Sequence, residues 1–413
     1  MMRRYDKERD HDALARIWRE IGWLADHDVA REAFEEEMDF LKGWVVESGG
    51  EAECYVGTTP GTMRYGDVDL SMSLVGAVTT SRVARKRGLA TRLTARAMSD
   101  VCEEGVDVAV LGMFEQGFYD RLGFGTGCVQ HLYRILTTQL DVPRLERSPK
   151  RLGRETWRNV HANRMARRRR HGAVTITDAR STLGEMSFHF HSFGLGFFDG
   201  PDDTLSHHVW VEPQEGNIAD GPYKVMWMAF ETYEQLLELL SVLHSFDDQV
   251  EKLILVEPPG VRLQDFLRKP LHHWMLTRNS PFRIGIEGLA YWQVRICDVE
   301  SCLRKTSLPT RESVAFNLRL TDPIESRVEE GWGWSGVGGD YVVNLGPSSS
   351  AEGGRDATLP TLEASVGAFS RMWLGVAPAT TLAISDELSA PQKLLEKLDD
   401  IICLPMPDPD WEV

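Results

Sequence analysis

The sequence predicts an α/β (α+β) fold, a mixed central sheet followed by two further α+β regions, and three observations predict it. Strand and helix patterns alternate along the whole chain; 413 residues exceed one ordinary core; and a strand, a glycine turn and a helix stand together near the start. With 42% hydrophobic and 26% charged residues the composition is that of a globular protein in water. No apolar run reaches the roughly 18 residues of a membrane span, and Met1-Met2-Arg3-Arg4-Tyr5-Asp6 lacks the apolar stretch of a signal peptide. A cytoplasmic location without a membrane partner is therefore expected.

Taken in order, helical apolar spacing over 12–24 (Leu14, Ile17, Trp18, Ile21) and again over 33–41 precedes short strands at 44–46 and 52–57. An apolar strand over 73–78 then runs into Arg85-Lys86-Arg87-Gly88-Leu89-Ala90, and a helix pattern follows at once (Leu93, Ala97, Met98, Val101). That order places backbone N–H groups and the positive end of a helix where a diphosphate can sit. Gly88 lets the backbone approach closely, Ala90 keeps the next turn small, and three basic side chains add charge. Another buried strand over 106–111 leads through Phe114-Glu115-Gln116-Gly117 into Phe118-Tyr119-Asp120-Arg121-Leu122-Gly123-Phe124-Gly125.

Arg85-x-x-Gly88-x-Ala90 resembles the Arg/Gln-x-x-Gly-x-Gly/Ala signature of the GCN5-related N-acetyltransferases (GNAT), and Tyr119-x-x-Leu122-Gly123-Phe124 resembles the second half of that family's acetyl-CoA site. The resemblance implies that Val78, Thr79 and Thr80 line the pantetheine arm. It implies further that Arg85, Lys86, Arg87, Gly88, Leu89 and Ala90 hold the diphosphate of acetyl-CoA, and that Tyr119 gives a proton to the leaving sulfur. Outside that context Tyr119 reads as a core tyrosine, and the basic triplet as a solvated turn.

After the Phe124-Gly125 box a strand over 129–136 precedes a boundary at 137–150. Strand candidates follow at 174–176, 207–211, 225–229, 253–256 and 289–293, with an amphipathic helix over 233–243 (Leu236, Leu237, Leu239, Leu240, Leu243). This repeats the strand-helix-strand plan without a phosphate motif, as a degenerate second copy would. Beyond 288 come a strand over 292–297, a helix start at 298–303, strands near 314–320 and 341–344, a polar insert over 346–356 expected to be mobile, and helix patterns over 362–374 and 391–398. This three-part plan, with Arg371-Met372-Trp373-Leu374-Gly375 and a proline-rich tail, resembles the enhanced intracellular survival (Eis) acetyltransferases. The resemblance implies a catalytic GNAT domain at 1–140, a degenerate GNAT-like domain at 141–288, a sterol carrier protein-like domain at 289–413, and a hexameric assembly.

No histidine lies within the two motifs to serve as base. In Eis proteins the chain-end carboxylate does so, which here implies Val413, with Glu412 beside it; Pro405, Pro407 and Pro409 stiffen the tail that would deliver it. The plainer alternative is a frayed terminus. Trp23 and Asp26 are the acceptor-side candidates, whereas Glu35-Glu36-Glu37 reads as a solvated helix face. The net charge of −16 argues against nucleic acid and suits a cationic amine. The basic run over 164–170 then reads as a solvated helix end or an interdomain salt-bridge surface. His189, His191, His207 and His208 read as structural, and no metal is expected. Six dispersed cysteines without a C-x-x-C pair read as reduced thiols. The resulting expectation is transfer of acetyl from acetyl-CoA to primary amines of small polycations, such as aminoglycosides, or to lysine side chains. The competing one is a non-catalytic acyl-CoA sensor or lipid carrier using the third region.

Overall fold

A computed structural model describes residues 1–189, 191–214, 217–268, 270 and 284–411, and three sheets organise them. The first sheet runs, in spatial order, Met2–Arg4, Lys42–Ser48, Glu51–Tyr65, Val68–Thr80, Val108–Gly112, Trp292–Ile296 and Gly125–Thr126. Its neighbours are antiparallel except Val68–Thr80 and Val108–Gly112, which are parallel and joined through the helix Leu89–Glu103. The helix Lys7–Ile21 begins at Asp6, whose side chain accepts from the Glu8 N–H, and buries Leu14, Ile17 and Trp18, the apolar stripe its spacing predicts. It is followed by the helix Asp28–Phe40.

The second sheet has the order Gly285–Leu289, Gln130–Leu136, Lys252–Val256, Tyr223–Ala229, His207–Pro213, Phe193–Phe197, Lys150–Leu152. It too contains one parallel pair, Tyr223–Ala229 with Lys252–Val256, joined through the helix Tyr233–His244. Leu236, Leu239, Leu240 and Leu243 of that helix pack on Tyr133, Ile135, Val225, Leu253 and Leu255 of the sheet. The third sheet, Ser350–Gly353, Gly339–Leu345, Val314–Thr321, Thr361–Ser365 and Leu388–Ser389, is flanked by the helices Val366–Trp373, Ala379–Ser385 and Gln392–Ile401.

The sheets exchange strands. Gln130–Leu136 leaves the first region for the second sheet, Val174–Ile176 pairs with Glu51–Tyr65, and Trp292–Ile296 completes the first sheet between Val108–Gly112 and Gly125–Thr126. Strands thus cross both divisions expected at 140 and 288. A single core joins Met63, Tyr65, Val108 and Val110 to Val294, Phe316, Phe369 and Trp373, and the Tyr65 and Trp373 rings stack 4.5 Å apart.

Three expectations are corrected. Residues 289–293 do not form one strand: Leu289 ends a strand of the second sheet and Trp292 opens one of the first. The 346–356 insert is ordered at its centre, where Ser350–Gly353 pairs antiparallel with Gly339–Leu345; an edge strand needs only backbone partners, so its polarity is no obstacle. The 362–374 segment divides into the strand Thr361–Ser365 and the helix Val366–Trp373, because the Ser365 side chain accepts from the Ala368 N–H and starts the helix there.

Candidate active site

Parallel pairing in the first sheet covers only Met72, Ser73 and Leu74, which face Val108, Ala109 and Val110 in turn. Beyond Leu74 the two strands part, and the rest of Val68–Thr80 is paired on one side only, to Glu51–Tyr65. Within that stretch Gly57 faces Gly76 while Tyr55 faces Thr79, so Ala77 and Val78 together oppose Val56; Ala77 has φ +52°. Such a bulge turns main-chain groups out of the ladder, here beside the gap, where an N–H can polarise a carbonyl. The Thr79 hydroxyl is buried without a hydrogen-bond partner among the described residues and the Thr80 hydroxyl donates to Cys54 Sγ at 3.3 Å, so both of these side chains are turned toward the protein.

The helix Leu89–Glu103 starts from Gly88, which has φ +71° and offers no side-chain cap, and its first residues pack against the cluster that contains Val75 and Tyr119. Its first N–H groups therefore remain available, and the exposed Arg85, Lys86 and Arg87 form no ion pair with a described residue. Uncapped donors, a positive helix end and unpaired cations fit a diphosphate. Leu89 and Ala90 occupy the first helical turn and are partly buried.

Tyr119 follows the far strand. It is 7% exposed among Phe118 and Phe124, and burial pushes its phenol up to about 12, so it keeps its proton at neutral pH and can act as an acid. The turn after it, Asp120–Leu122, closes on Gly123 at φ +78°, where a Cβ would collide with Val366. Distant residues hold this turn. Gln293 Nε2 donates to Asp120 Oδ1 at 2.7 Å, and the fully buried Arg295 donates to the Leu122 carbonyl and to Asp322 Oδ2, the latter at 2.6 Å. Sequence reasoning missed both, because a strand inserted from so far along the chain carries no local signal.

The acceptor-side candidates are less tightly held. Trp23, 36% exposed, meets Trp18 at 5.4 Å and Phe114 at 5.7 Å, and Phe114 itself is 86% exposed, giving an aromatic rim between the first helix and the strand before Tyr119. Asp26 is exposed and has no ion pair among the described residues. Glu37, in contrast to the solvated face expected for its run, is turned inward: burial and the neighbouring Glu185 push its carboxyl up to about 8.

Glu412 and Val413 lie outside the described residues, but the tail before them is anchored. Gln130 Nε2 donates to Asp408 Oδ1 and to the Pro409 carbonyl, both at 3.0 Å, and Arg167 grips Asp410 through two bonds of 2.6 and 2.7 Å. Trp411 is 3% exposed, with the Arg164 guanidinium 3.7 Å from its ring centre and its Nε1 donating to Glu185 Oε1 at 2.8 Å. The chain end thus starts from the carboxylate that faces Glu37. Arg164 and Arg167, three residues apart, belong to the basic run; that spacing was the one available hint that they share a face. All six cysteines are free. Among the described residues Asp199, His207 and Glu238 could together hold a cation, and Arg147 donates to both of those carboxylates.

Residues 3–127 match the family model of the acetyltransferase (GNAT) domain. The first region is thus a GNAT acetyltransferase domain and the protein an acyltransferase enzyme, of a class that uses acetyl-CoA as donor and an amine as acceptor. Among functionally curated proteins the sequence has no significant match. Among solved structures it is similar over its whole length to a GCN5-related N-acetyltransferase from Anabaena variabilis (TM-score 0.79, 13% identity, 100% of both chains covered). It is likewise similar to Eis1 from Mycobacterium abscessus (0.75, 16%, 100% of both) and to a probable N-acyltransferase from Enterococcus faecalis (0.75, 16%, 98% of this chain and 97% of that one). At these identities the likeness is one of fold. No helix among the described residues is long and apolar enough to cross a membrane.

Proposed function

We propose that the protein is an acetyl-CoA-dependent N-acetyltransferase of the Eis type, acting on primary amines of small polycations such as aminoglycosides or on lysine side chains. The observation that carries this reading is that the strand parting beyond Leu74, the start of the helix after Gly88 and the buried Tyr119 meet on one apolar cluster, which holds Val75 and Tyr119 with Val78, Leu89 and Ala90 packed against it. In this reading the diphosphate lies on Arg85, Lys86, Arg87, Gly88, Leu89 and Ala90. Main-chain groups of Val78, Thr79 and Thr80 hold the pantetheine, and an N–H at the bulge polarises the thioester carbonyl. The amine nitrogen attacks that carbonyl carbon, the carbon–sulfur bond breaks, and Tyr119 gives its proton to the sulfur. The chain-end carboxylate of Val413 takes the proton from the amine, and Trp23, Asp26 and Glu412 receive the cationic acceptor. The anchoring of Trp411 beside Glu185 supports this, since it starts the last two residues from a fixed point.

The same reading treats 1–140 as the catalytic unit, 141–288 as its degenerate copy and 289–413 as a sterol carrier protein-like unit, in a cytoplasmic hexamer. The test is coenzyme A release with acetyl-CoA against aminoglycosides, polyamines and a lysine peptide, for the full chain and for one ending at Trp411. Turnover on one of these amines that vanishes in the shortened chain while acetyl-CoA affinity stays is the expected result. Undiminished turnover in the shortened chain would remove Val413 as base, and absence of turnover on every amine would remove the acceptor class.

A further inference from the structure

Acetyl transfer as proposed above leaves one proton without an acceptor. A primary amine of a polycation arrives as an ammonium group with three N–H bonds and becomes an amide nitrogen with one. Val413 takes one of the two protons lost and can restore Tyr119, which has given its own to the sulfur. The other proton has no acceptor among the residues named so far.

Beside the bulge at Ala77 and Val78, three glycines lie in a row across the first sheet: Gly43 faces Gly57, and Gly57 faces Gly76. The Tyr55 side chain covers the first two. A Cβ at Gly43 would collide with the Tyr55 ring and one at Gly57 would come 3.2 Å from its hydroxyl, whereas a Cβ at Gly76 would meet nothing within 4 Å. The row is therefore a floor, covered at one end by Tyr55 and open at the other beside the bulge. Neighbouring strands are roughly 5 Å apart, so the Tyr55 hydroxyl stands about one strand from the open place. Tyr55 belongs to the apolar cluster of Trp18 and Phe34 under the first two helices, and Ala77 of the bulge packs against the same cluster. The residue is fully buried, yet its hydroxyl has no hydrogen-bond partner among the described residues. Such groups are nearly always bonded, so this one calls for a partner that the chain does not supply. Burial holds the phenol well above its ordinary range, so Tyr55 stays protonated and passes a proton only by accepting one as it gives one.

Behind Tyr55 stands Glu37, one helical turn before Leu41, whose Cδ1 is, like the Tyr55 hydroxyl, 3.2 Å from the Cβ position of Gly57. The Glu37 charge acts on the Tyr55 phenol, and Glu37 is only half-buried, so it also reaches water. Its charged neighbour is Glu185, itself bonded to Arg164 and to Trp411 Nε1. The nearby cations are engaged elsewhere: Arg154 with Glu32 and Glu36, Lys7 with Asp39, and Arg180 with Asp178. The other titratable groups of this region are Tyr5, 5.6 Å from the Tyr55 ring, and His11, 5.1 Å from the Phe34 ring.

We infer that Tyr55 and Glu37 form the path of the second proton: an ammonium seated over Gly76 gives it to the Tyr55 oxygen, the Tyr55 hydroxyl gives its own to the Glu37 carboxylate, directly or through a water, and Glu37 releases it to solvent. Tyr55 meets the amine, and Glu37 acts through Tyr55. The nitrogen is left with the lone pair that attacks the thioester carbonyl. This path rests on the acetyltransferase reading of the same site.

The test is the pH dependence of kcat/KM from pH 6 to 10, followed by coenzyme A release, for the full chain and its Tyr55→Phe and Glu37→Gln variants, with spermidine, kanamycin and a lysine peptide as acceptors. Glu37 takes a proton only as carboxylate, so the wild-type value should rise through about 8. In Glu37→Gln that step should vanish, leaving the rise set by the amine itself, and kcat/KM at pH 8.5 should fall roughly tenfold or more; Tyr55→Phe should fall likewise. Retained coenzyme A affinity establishes that each variant is folded. A step near pH 8 that persists in Glu37→Gln, whatever the rate, or wild-type rates in Tyr55→Phe would overturn the path while leaving the acetyltransferase reading in place. Absence of wild-type turnover on all three acceptors would overturn the acceptor class, and the path with it.

Discussion

The first and second sheets share a parallel strand pair that parts after a short register, a connecting helix, and a bulge in the first strand of the pair. They differ in what meets the N–H groups at the start of that helix. In the first sheet residues 81–88 form a long basic turn ending at Gly88 in the left-handed region, and no side chain among the described residues caps the helix. In the second, Thr232 accepts from the Gln235 N–H at 3.3 Å while Gln235 accepts from the N–H groups of Glu231 and Thr232. One helix end is left for an anion and the other is satisfied by its own residues, with Glu234 added in its first turn. The same backbone plan thus serves as cofactor cradle or scaffold according to its capping.

The largest expected effect sharpens the chemical side of this contrast. Tyr119→Phe should lower turnover by roughly 10²-fold or more with acetyl-CoA affinity unchanged, read by steady-state rates beside equilibrium binding; unchanged turnover would leave the first sheet without its acid. Next, replacing Arg85, Lys86 and Arg87 together by alanine should weaken acetyl-CoA by roughly tenfold or more and flatten the dependence of its affinity on salt. Equal salt dependence in the variant would break the contrast between the two helix ends.

At the seam between the regions, Glu37 faces Glu185 across the helices Asp28–Phe40 and Arg180–Phe188. Its pKa is raised in the folded chain from 4.5 to about 8, so the folded state keeps a proton that the unfolded chain has already lost. The associated stability is present in full below about 4.5 and is lost as pH rises through about 8. Thermal unfolding from pH 5 to 9 should therefore show a declining Tm that flattens in Glu37→Gln; parallel curves would place Glu37 in water. The smallest effect is Thr232→Ala, which should cost about 1 kcal/mol of stability and leave acetyl-CoA affinity untouched. A change in that affinity would mean that the second helix end reaches the cofactor after all.

What could be read from the sequence was local. Arg85-x-x-Gly88-x-Ala90 and the box around Tyr119 are each contiguous, and Leu89 and Ala90 of the first pack against the apolar cluster that contains Tyr119 of the second. The amphipathic Leu236–Leu243 spacing likewise marks a helix that packs on its sheet. What stayed hidden depends on strand exchange: Gln293 and Arg295 hold the turn after Tyr119 from 173 residues away, and no periodicity predicts which sheet Trp292–Ile296 will enter. Glu37 was hidden for a related reason, since a helix face that is polar by composition becomes buried only when another helix is laid on it. Arg164 and Arg167 illustrate the same limit, as their burial comes from Trp411 and Asp410, more than two hundred residues later.

The insertion of Trp292–Ile296 also has a consequence in time. A ribosome adding roughly 5–20 residues per second needs about 10–30 seconds to cover the 173 residues from Asp120 to Gln293. Throughout that interval the nascent sheet has its signature motifs complete and a slot open between Val108–Gly112 and Gly125–Thr126, with two unpaired edges. Synthesis of the acetyltransferase domain and its closure are separate events, so a fragment that stops at the end of the GNAT match would carry every recognisable motif and still lack a strand of its own sheet.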